Sequence, residues 1–247
     1  DGHRCFLADP EINRLFDVVR DWVKHSPLSR WDRKTNSGLL RYAVIRATTL
    51  RETMVTIVTS VPADEQETNT VQVELENLAM TLQATTLVWS VNSTVSDVSF
   101  GDTIHVIAGP CTIKEEIATR RYIISPNAFF QTNSHAAPIL LKTVEEFADD
   151  LSKKTVLDLY CGTGFFAIAL AARAKRTIGI EMMSEAIADA RINATKNAVN
   201  IECIDAKTED SPWWTHKADV VILDPSRSGM HDNAFRDLLA NPPETIV

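Results

Sequence analysis

The chain has 247 residues, 45% of them hydrophobic and 7% aromatic, enough to bury a core in one large domain or two modest ones and too apolar for a disordered segment. Its formal net charge of -8 argues against a nucleic-acid surface over the whole chain, yet residues 1–50 carry nine Arg or Lys against six Asp or Glu, a local excess of three positive charges. No run approaches the roughly 18 consecutive apolar residues of a membrane-spanning helix, so no membrane partner is expected.

The opening residues, "DGHRCFLADP", carry no initiator methionine and no signal or transit pattern, which leaves cytosol, nucleus and mitochondrion equally open. Asp9 is placed to cap a helix with Pro10 in its first position, and apolar residues at 12, 15, 16, 19, 22 and 23 give that helix one greasy face. Arg30, Arg33, Lys34, Arg41 and Arg46 follow; they either track phosphates or form an ordinary solvated face. Strand-like runs come next, "LLRYAVIRAT" and "MVTIVTS", then a polar loop over 64–67, a helix near "VQVELENLAMTLQ" and a strand at "TLVWSVN". A loop over 92–97 and a turn at Gly101-Asp102 lead into "TIHVIAG". Residues 1–133 therefore read as a smaller α+β domain.

From "SHAAPILLKTVEEFADD" onward helix and strand alternate, the rhythm of a parallel, doubly wound α/β sheet. The strands are "TVLDLY", "RTIGIE", "NIECID" and "ADVVILD", with helices near 164–173 and 184–197, and a fifth strand begins at "PETIV". A sheet ending there would leave an open edge, so the natural chain is expected to continue. No internal repeat is present.

The run "VLDLYCGTGFFAIALA" joins a buried strand to a helix N-terminus through a glycine loop, an arrangement that brings backbone N–H groups to a polar ligand. Gly162, Gly164 and Ala167 satisfy the dinucleotide fingerprint G-x-G-x-x-G/A, and Glu181 ends the following strand, where an acidic residue grips ribose hydroxyls. A nicotinamide-dependent oxidoreductase is thus one reading. Asp158 instead completes D-x-x-x-G-x-G, the pattern of S-adenosylmethionine sites, and "ILDPSRSG" sets Asp224 before Pro225 at the end of the fourth strand; both features favour a methyl donor. Tyr160 beside the loop is either core or a ligand contact, and Asp205 after the third strand is either a turn residue or an adenine contact.

Taken together, "SPNAFFQTNS", "DLYCGTG", "IGIE" and "ILDPSRSGMH" resemble the RNA (uracil-5-)-methyltransferases, which methylate uridine in transfer or ribosomal RNA with S-adenosylmethionine. The order and spacing agree along essentially all of residues 1–247. The resemblance implies a Rossmann-like S-adenosylmethionine-dependent methyltransferase domain over 134–247, with its last strands missing, preceded by an accessory, RNA-contacting domain over 1–133. It implies that Gln131 reaches the cofactor, that Phe129 and Phe130 form interdomain core behind it, and that Tyr160, Glu181 and Asp224 are cofactor residues. Arg227 and Gly229 fall in the matching late motif. The chain departs from the family at Ser226, where a second Pro is usual, at Ser228, where Ala is usual, and at Phe165-Phe166 in the loop.

Carbon 5 of uracil is a poor nucleophile, so a thiolate first adds at carbon 6 and a base later removes the carbon 5 proton. In the family the nucleophile lies in a Ser-Cys-Asn-Pro motif after the fifth strand and the base is a Glu farther on. Both fall beyond Val247, so no catalytic residue is assigned within the chain, which is expected to bind cofactor and not to methylate alone. Cys5, Cys111, Cys161 and Cys203 form no C-x-x-C pair, which predicts reduced thiols and no metal centre; Cys161 is expected to fill a buried gap. A flipped uridine in a loop is the expected substrate, in transfer RNA ahead of ribosomal RNA. A non-catalytic RNA- or cofactor-binding module is the competing reading, with the oxidoreductase behind it.

Overall fold

In the computed structural model, which describes residues 5–247, the first helix starts where Asp9 and Pro10 place it. The Asp9 carboxylate accepts the Glu11 N–H at 2.8 Å, and α1 runs over Pro10–His25 with Leu15 and Val19 buried. Four strands follow: β1 (Leu40–Ala47), β2 (Thr53–Ser60), β3 (Thr86–Asn92) and β4 (Thr103–Ala108). They form one sheet in the order β1-β2-β3-β4. The helix α2 (Glu65–Leu82) connects β2 to β3, which forces these two to lie parallel while both outer pairs are antiparallel hairpin neighbours. Val55, Ile57, Leu87 and Trp89 of the sheet meet Leu15 and Val19 of α1 and Val71, Leu75, Leu78 and Leu82 of α2 in one core. Each such side chain contributes about 1.5–3 kcal/mol by leaving water.

The polar loop expected over 64–67 is instead the start of α2. Asp64 accepts the Glu67 N–H at 2.8 Å and Glu67 accepts the Ala63 N–H at 2.6 Å. This reciprocal capping turns a polar run into a helix beginning.

The chain divides into two compact units, Asp1–Lys114 and Glu115–Val247. The sequence reading set its boundary at 133/134, whereas β6 (Arg120–Ile124) and the residues after it are grouped with the second unit, hydrogen-bonded to a helix there. The short ribbon of β5 (Ile113–Ile117) with β6 was not anticipated.

In the second unit α3 (Ala137–Ala148) precedes β7 (Thr155–Leu159), α4 (Phe165–Ala171), β8 (Arg176–Glu181), α5 (Ser184–Lys196), β9 (Glu202–Asp205), β10 (Val220–Leu223), α6 (Asp232–Ala240) and β11 (Thr245–Ile246). The sheet order is β11-β10-β7-β8-β9 with every pair parallel. Val156, Leu157, Leu159, Ile178, Ile180, Val220 and Val221 are all within 0% exposure, as strands covered on both faces require. Because the chain steps from β7 to β8 on one side and returns to β10 on the other, the switch point lies between β7 and β10. In doubly wound sheets ligands bind outside the carboxyl ends of the strands at such a point. Among the described residues no helix is long and apolar enough to cross a membrane.

Candidate cofactor site

After β7 the chain turns through Tyr160 (φ 69°), Gly162 (φ 52°) and Gly164 (φ 85°), three left-handed residues at alternate positions. Glycine adopts this conformation without penalty, while Tyr160 stores roughly 1 kcal/mol or more of strain. Gly164 is also needed for space: a β-carbon there would stand 3.0 Å from Ile168 Cδ1 and 3.3 Å from Ala190 Cβ. The loop is tied back to the sheet by the Cys161 N–H, which donates to the Ile180 carbonyl at 2.9 Å.

Asp158 lies beneath this loop with no exposure. One carboxylate oxygen accepts the Ala167 N–H in the first turn of α4 at 2.9 Å; the other, Oδ1, is buried with no hydrogen-bond partner. Burial raises the Asp158 carboxyl to about 8, helped by the nearby charges of Asp224 and Glu181 and opposed by the Ala167 hydrogen bond. A buried carboxyl with an orphan oxygen beside two carboxylates is a place prepared for a hydrogen-bond donor, best a cationic one.

Glu181 ends β8, and each of its oxygens takes one backbone N–H: Gly162 at 3.1 Å and Met183 at 2.8 Å. Each oxygen keeps a lone pair for a hydroxyl. Asp224 is exposed just past β10, and its Oδ2 accepts the Gln131 Nε2 at 3.5 Å, a long contact. The loop and the Gln131 segment are neighbours, since the Phe129 carbonyl is the one atom within reach of a β-carbon built on Gly162, at 3.9 Å. Asp158, Gly162, Glu181, Asp224 and Gln131 are thus gathered at the switch point. Asp205 is exposed at the end of β9, opposite Glu181 in the ladder. Tyr160 packs at the edge of the second unit's hydrophobic core, and its hydroxyl faces Thr208 and the His231 backbone without closing a hydrogen bond of normal geometry.

Phe129 and Phe130 do not share a role. Phe130 is buried within the second unit, with ring centroids 5.2 Å from Tyr122 and 5.7 Å from Phe165, whereas Phe129 is 63% exposed. The expectation of core therefore holds for Phe130, which packs between Tyr122 and Phe165, and is corrected for Phe129, which faces solvent. Cys161 is buried with Sγ 2.7 Å from where a β-carbon on Gly179 would stand, so strand β8 needs glycine to admit the thiol. Burial, with Asp158 and Glu181 close by, pushes that thiol well above its ordinary value, far from a thiolate.

The donor and acceptor set suits an adenosine ligand with ribose hydroxyls and a positive centre. It does not suit a pyrophosphate, because Glu181 and Asp224 stand near the loop with the buried Asp158 carboxyl and Glu181 already holds the Gly162 amide that a phosphate would need. Among the described residues no group of three or more His, Cys, Asp or Glu could hold a metal ion.

Sequence reasoning passed over Asp189 and Asn193 on α5 and Asn197 at its C-cap. They are buried, buried and half-buried, and they bond to the backbone of residues 121–125. Their signal was a polar stripe at four-residue spacing on a helix face where apolar residues belong.

Residues 150–246 match the methyltransferase domain family. Over 98% of its length the chain is 32% identical to an uncharacterized RNA methyltransferase of Nanoarchaeum equitans, covering 53% of that protein. Over its full length it is 33% identical to the tRNA (uracil(54)-C(5))-methyltransferase of Pyrococcus furiosus, covering 56%. The crystal structure of the Pyrococcus abyssi tRNA (uracil-54, C5)-methyltransferase with S-adenosyl-L-homocysteine superposes with a TM-score of 0.71 at 32% identity, over 95% of this chain and 56% of that one. The chain spans about half the length of the relatives it matches. Residues 150–246 thus form a methyltransferase domain, and the chain as a whole is similar to RNA methyltransferases, tRNA (uracil-54, C5)-methyltransferases among them.

Proposed function

We propose that the chain holds S-adenosylmethionine at the β7–β10 switch point for methylation of carbon 5 of uridine in RNA, with transfer RNA as the substrate. The observation that carries this reading is the convergence of Asp158, Glu181, Asp224 and Gln131 on the glycine loop. When bound, the cofactor supplies an electrophilic methyl group on a sulfonium. Glu181 orients ribose hydroxyls, Asp158 accepts from the ammonium end through Oδ1, and the carboxylates of Asp158 and Asp224 favour a cationic ligand over its neutral product. Gln131, from the loop between β6 and α3, and Asp224, just past β10, close the site together. Asp205 is assigned to the adenine side and Tyr160 to shaping the loop.

The reading assigns no nucleophile among the four cysteines. Cys161 is held neutral by burial, burial also raises Cys203, and Cys5 and Cys111 belong to the first unit.

The first unit is assigned to RNA. Arg41 stacks over the Trp31 ring at 4.5 Å and is fixed there by the Thr94 carbonyl at 2.5 Å; beside it Arg33 reaches the Tyr42 hydroxyl at 3.2 Å and Asp97 at 3.4 Å. Aromatic rings with guanidinium planes and exposed cations are what an unstacked base and its phosphates need.

A thermal-shift titration tests the cofactor class. S-adenosylhomocysteine should raise the melting temperature with saturation, while NADH and NADPH should leave it unchanged; stabilisation by a nicotinamide cofactor alone would transfer the chain to the oxidoreductase reading. Filter binding with unmodified transfer RNA and a ribosomal RNA fragment then separates the substrates, and failure to bind either would leave a cofactor-binding module.

A further inference from the structure

α5 does for β6 what a neighbouring strand would do. Asp189 accepts both the Ser125 N–H and the Ser125 hydroxyl at 2.8 Å. Asn197 accepts the Arg121 N–H at 2.9 Å and donates to the Arg121 carbonyl at 2.6 Å. Between them Asn193, with no exposure, accepts the Ile123 N–H at 2.6 Å and donates to the Ile123 carbonyl at 3.1 Å. Helix side chains at i, i+4 and i+8 thus meet strand residues at j, j−2 and j−4, since four helical residues rise about 6 Å and two strand residues about 6.6 Å.

Asn193 differs from its two partners in the ladder. Its second amide hydrogen goes to the Thr163 carbonyl at 3.1 Å. Thr163 lies between Gly162 and Gly164, and Ile123 leads through the Ala128-to-Ser125 turn to Gln131. One buried amide therefore joins the glycine loop to the stem of the segment that presents Gln131.

Resting on the cofactor reading above, we propose that Asn193 is a positioning residue that makes order in the glycine loop and order in the Gln131 segment a single event, so that filling the cofactor site sets Gln131. Only a primary amide can supply one acceptor and two donors at this point. Asp at 193 would set carboxylate oxygens against the Ile123 and Thr163 carbonyls, and Ala would leave three buried backbone groups unpaired.

The test uses calorimetric titration with S-adenosylhomocysteine together with amide hydrogen exchange. Asn197→Ala is the control, because it removes the same kind of ladder contact without touching the glycine loop. Asn193→Ala should weaken binding about tenfold where Asn197→Ala weakens it less than about threefold at similar loss of melting temperature. In the wild type the ligand should slow exchange over residues 126–131, and this response should vanish in Asn193→Ala and persist in Asn197→Ala. Gln131→Ala should cost affinity in the wild type and nothing further in the Asn193→Ala background. Equal behaviour of the two Asn variants, or additive Gln131 and Asn193 effects, would overturn the proposal. A wild-type chain that does not bind the ligand at all would instead sink the cofactor reading.

Discussion

Replacing Asp158 by Asn tests the buried carboxyl directly, because Asn reproduces the shape and donor capacity of the protonated acid and cannot ionise. The carboxyl ordinarily titrates near 3.8 and is held at about 8 here, chiefly by burial. Between those values the folded protein keeps a proton that the unfolded chain has lost, so wild-type stability falls as pH rises through this window and levels off above pH 8. At about 1.4 kcal/mol per pH unit the loss is at most about 6 kcal/mol, reduced by any water that reaches the group. Asp158→Asn should therefore melt at a higher temperature than wild type at pH 8, with the gap closing toward pH 4. Binding reverses the preference. An ammonium beside Oδ1 stabilises the ionised form, so the wild type should release close to one proton on binding S-adenosylhomocysteine at pH 6.5. Its affinity should rise up to about tenfold per pH unit until pH 8. Calorimetry in two buffers of different ionisation enthalpy reads that proton. Asp158→Asn should release none and bind with a flat pH profile. The same proton release in variant and wild type, or none in either, would refute the assignment of the charge change to Asp158.

Gly164→Ala places a methyl group 3.0 Å from Ile168 Cδ1 on a left-handed backbone, and the melting curve should show a loss of about 1–3 kcal/mol. Glu181→Gln keeps the shape but leaves a single accepting oxygen for the Gly162 and Met183 amides, so one of them loses its partner; S-adenosylhomocysteine affinity should fall about tenfold or more while the far-ultraviolet spectrum is unchanged. Cys161→Ser should retain cofactor binding, and a thiol-alkylating reagent should spare Cys161 in the folded wild type, since the buried thiol is neutral; rapid alkylation of Cys161 there would contradict that. Trp31→Ala and Arg41→Ala should each weaken transfer RNA binding by about 1–3 kcal/mol without changing cofactor affinity, as filter binding and calorimetry on the same samples would show.

The second unit's rhythm was legible because a parallel sheet buried on both faces writes itself as near-continuous apolar runs, and "TLVWSVN" in the first unit coincides with β3. What escaped had physical causes. β5 reads "IKEEI", where Glu115 takes a buried place between Ile113 and Ile117, bonded to Ser134 at 2.6 Å, so its alternation is hidden by charge. α2 began early because capping chemistry looks like a loop in composition alone. In the site, Gly162, Glu181 and Asp224 could be named from motifs that fix loop geometry and strand ends, and Gln131 only from the family resemblance. Asn193 could not, because its partners are backbone groups of Ile123 and Thr163, which no side-chain pattern announces. The exposure of Phe129 beside buried Phe130 likewise depends on which way a turn sends each ring.

The central claim is tested most directly by a crystal structure of the chain with S-adenosylhomocysteine. The ribose hydroxyls should lie on Glu181, the ammonium on Asp158 Oδ1, and Gln131 should be drawn to the ligand beside Asp224. A ligand seated elsewhere, or Asp158 Oδ1 still without a partner in the complex, would contradict the claim.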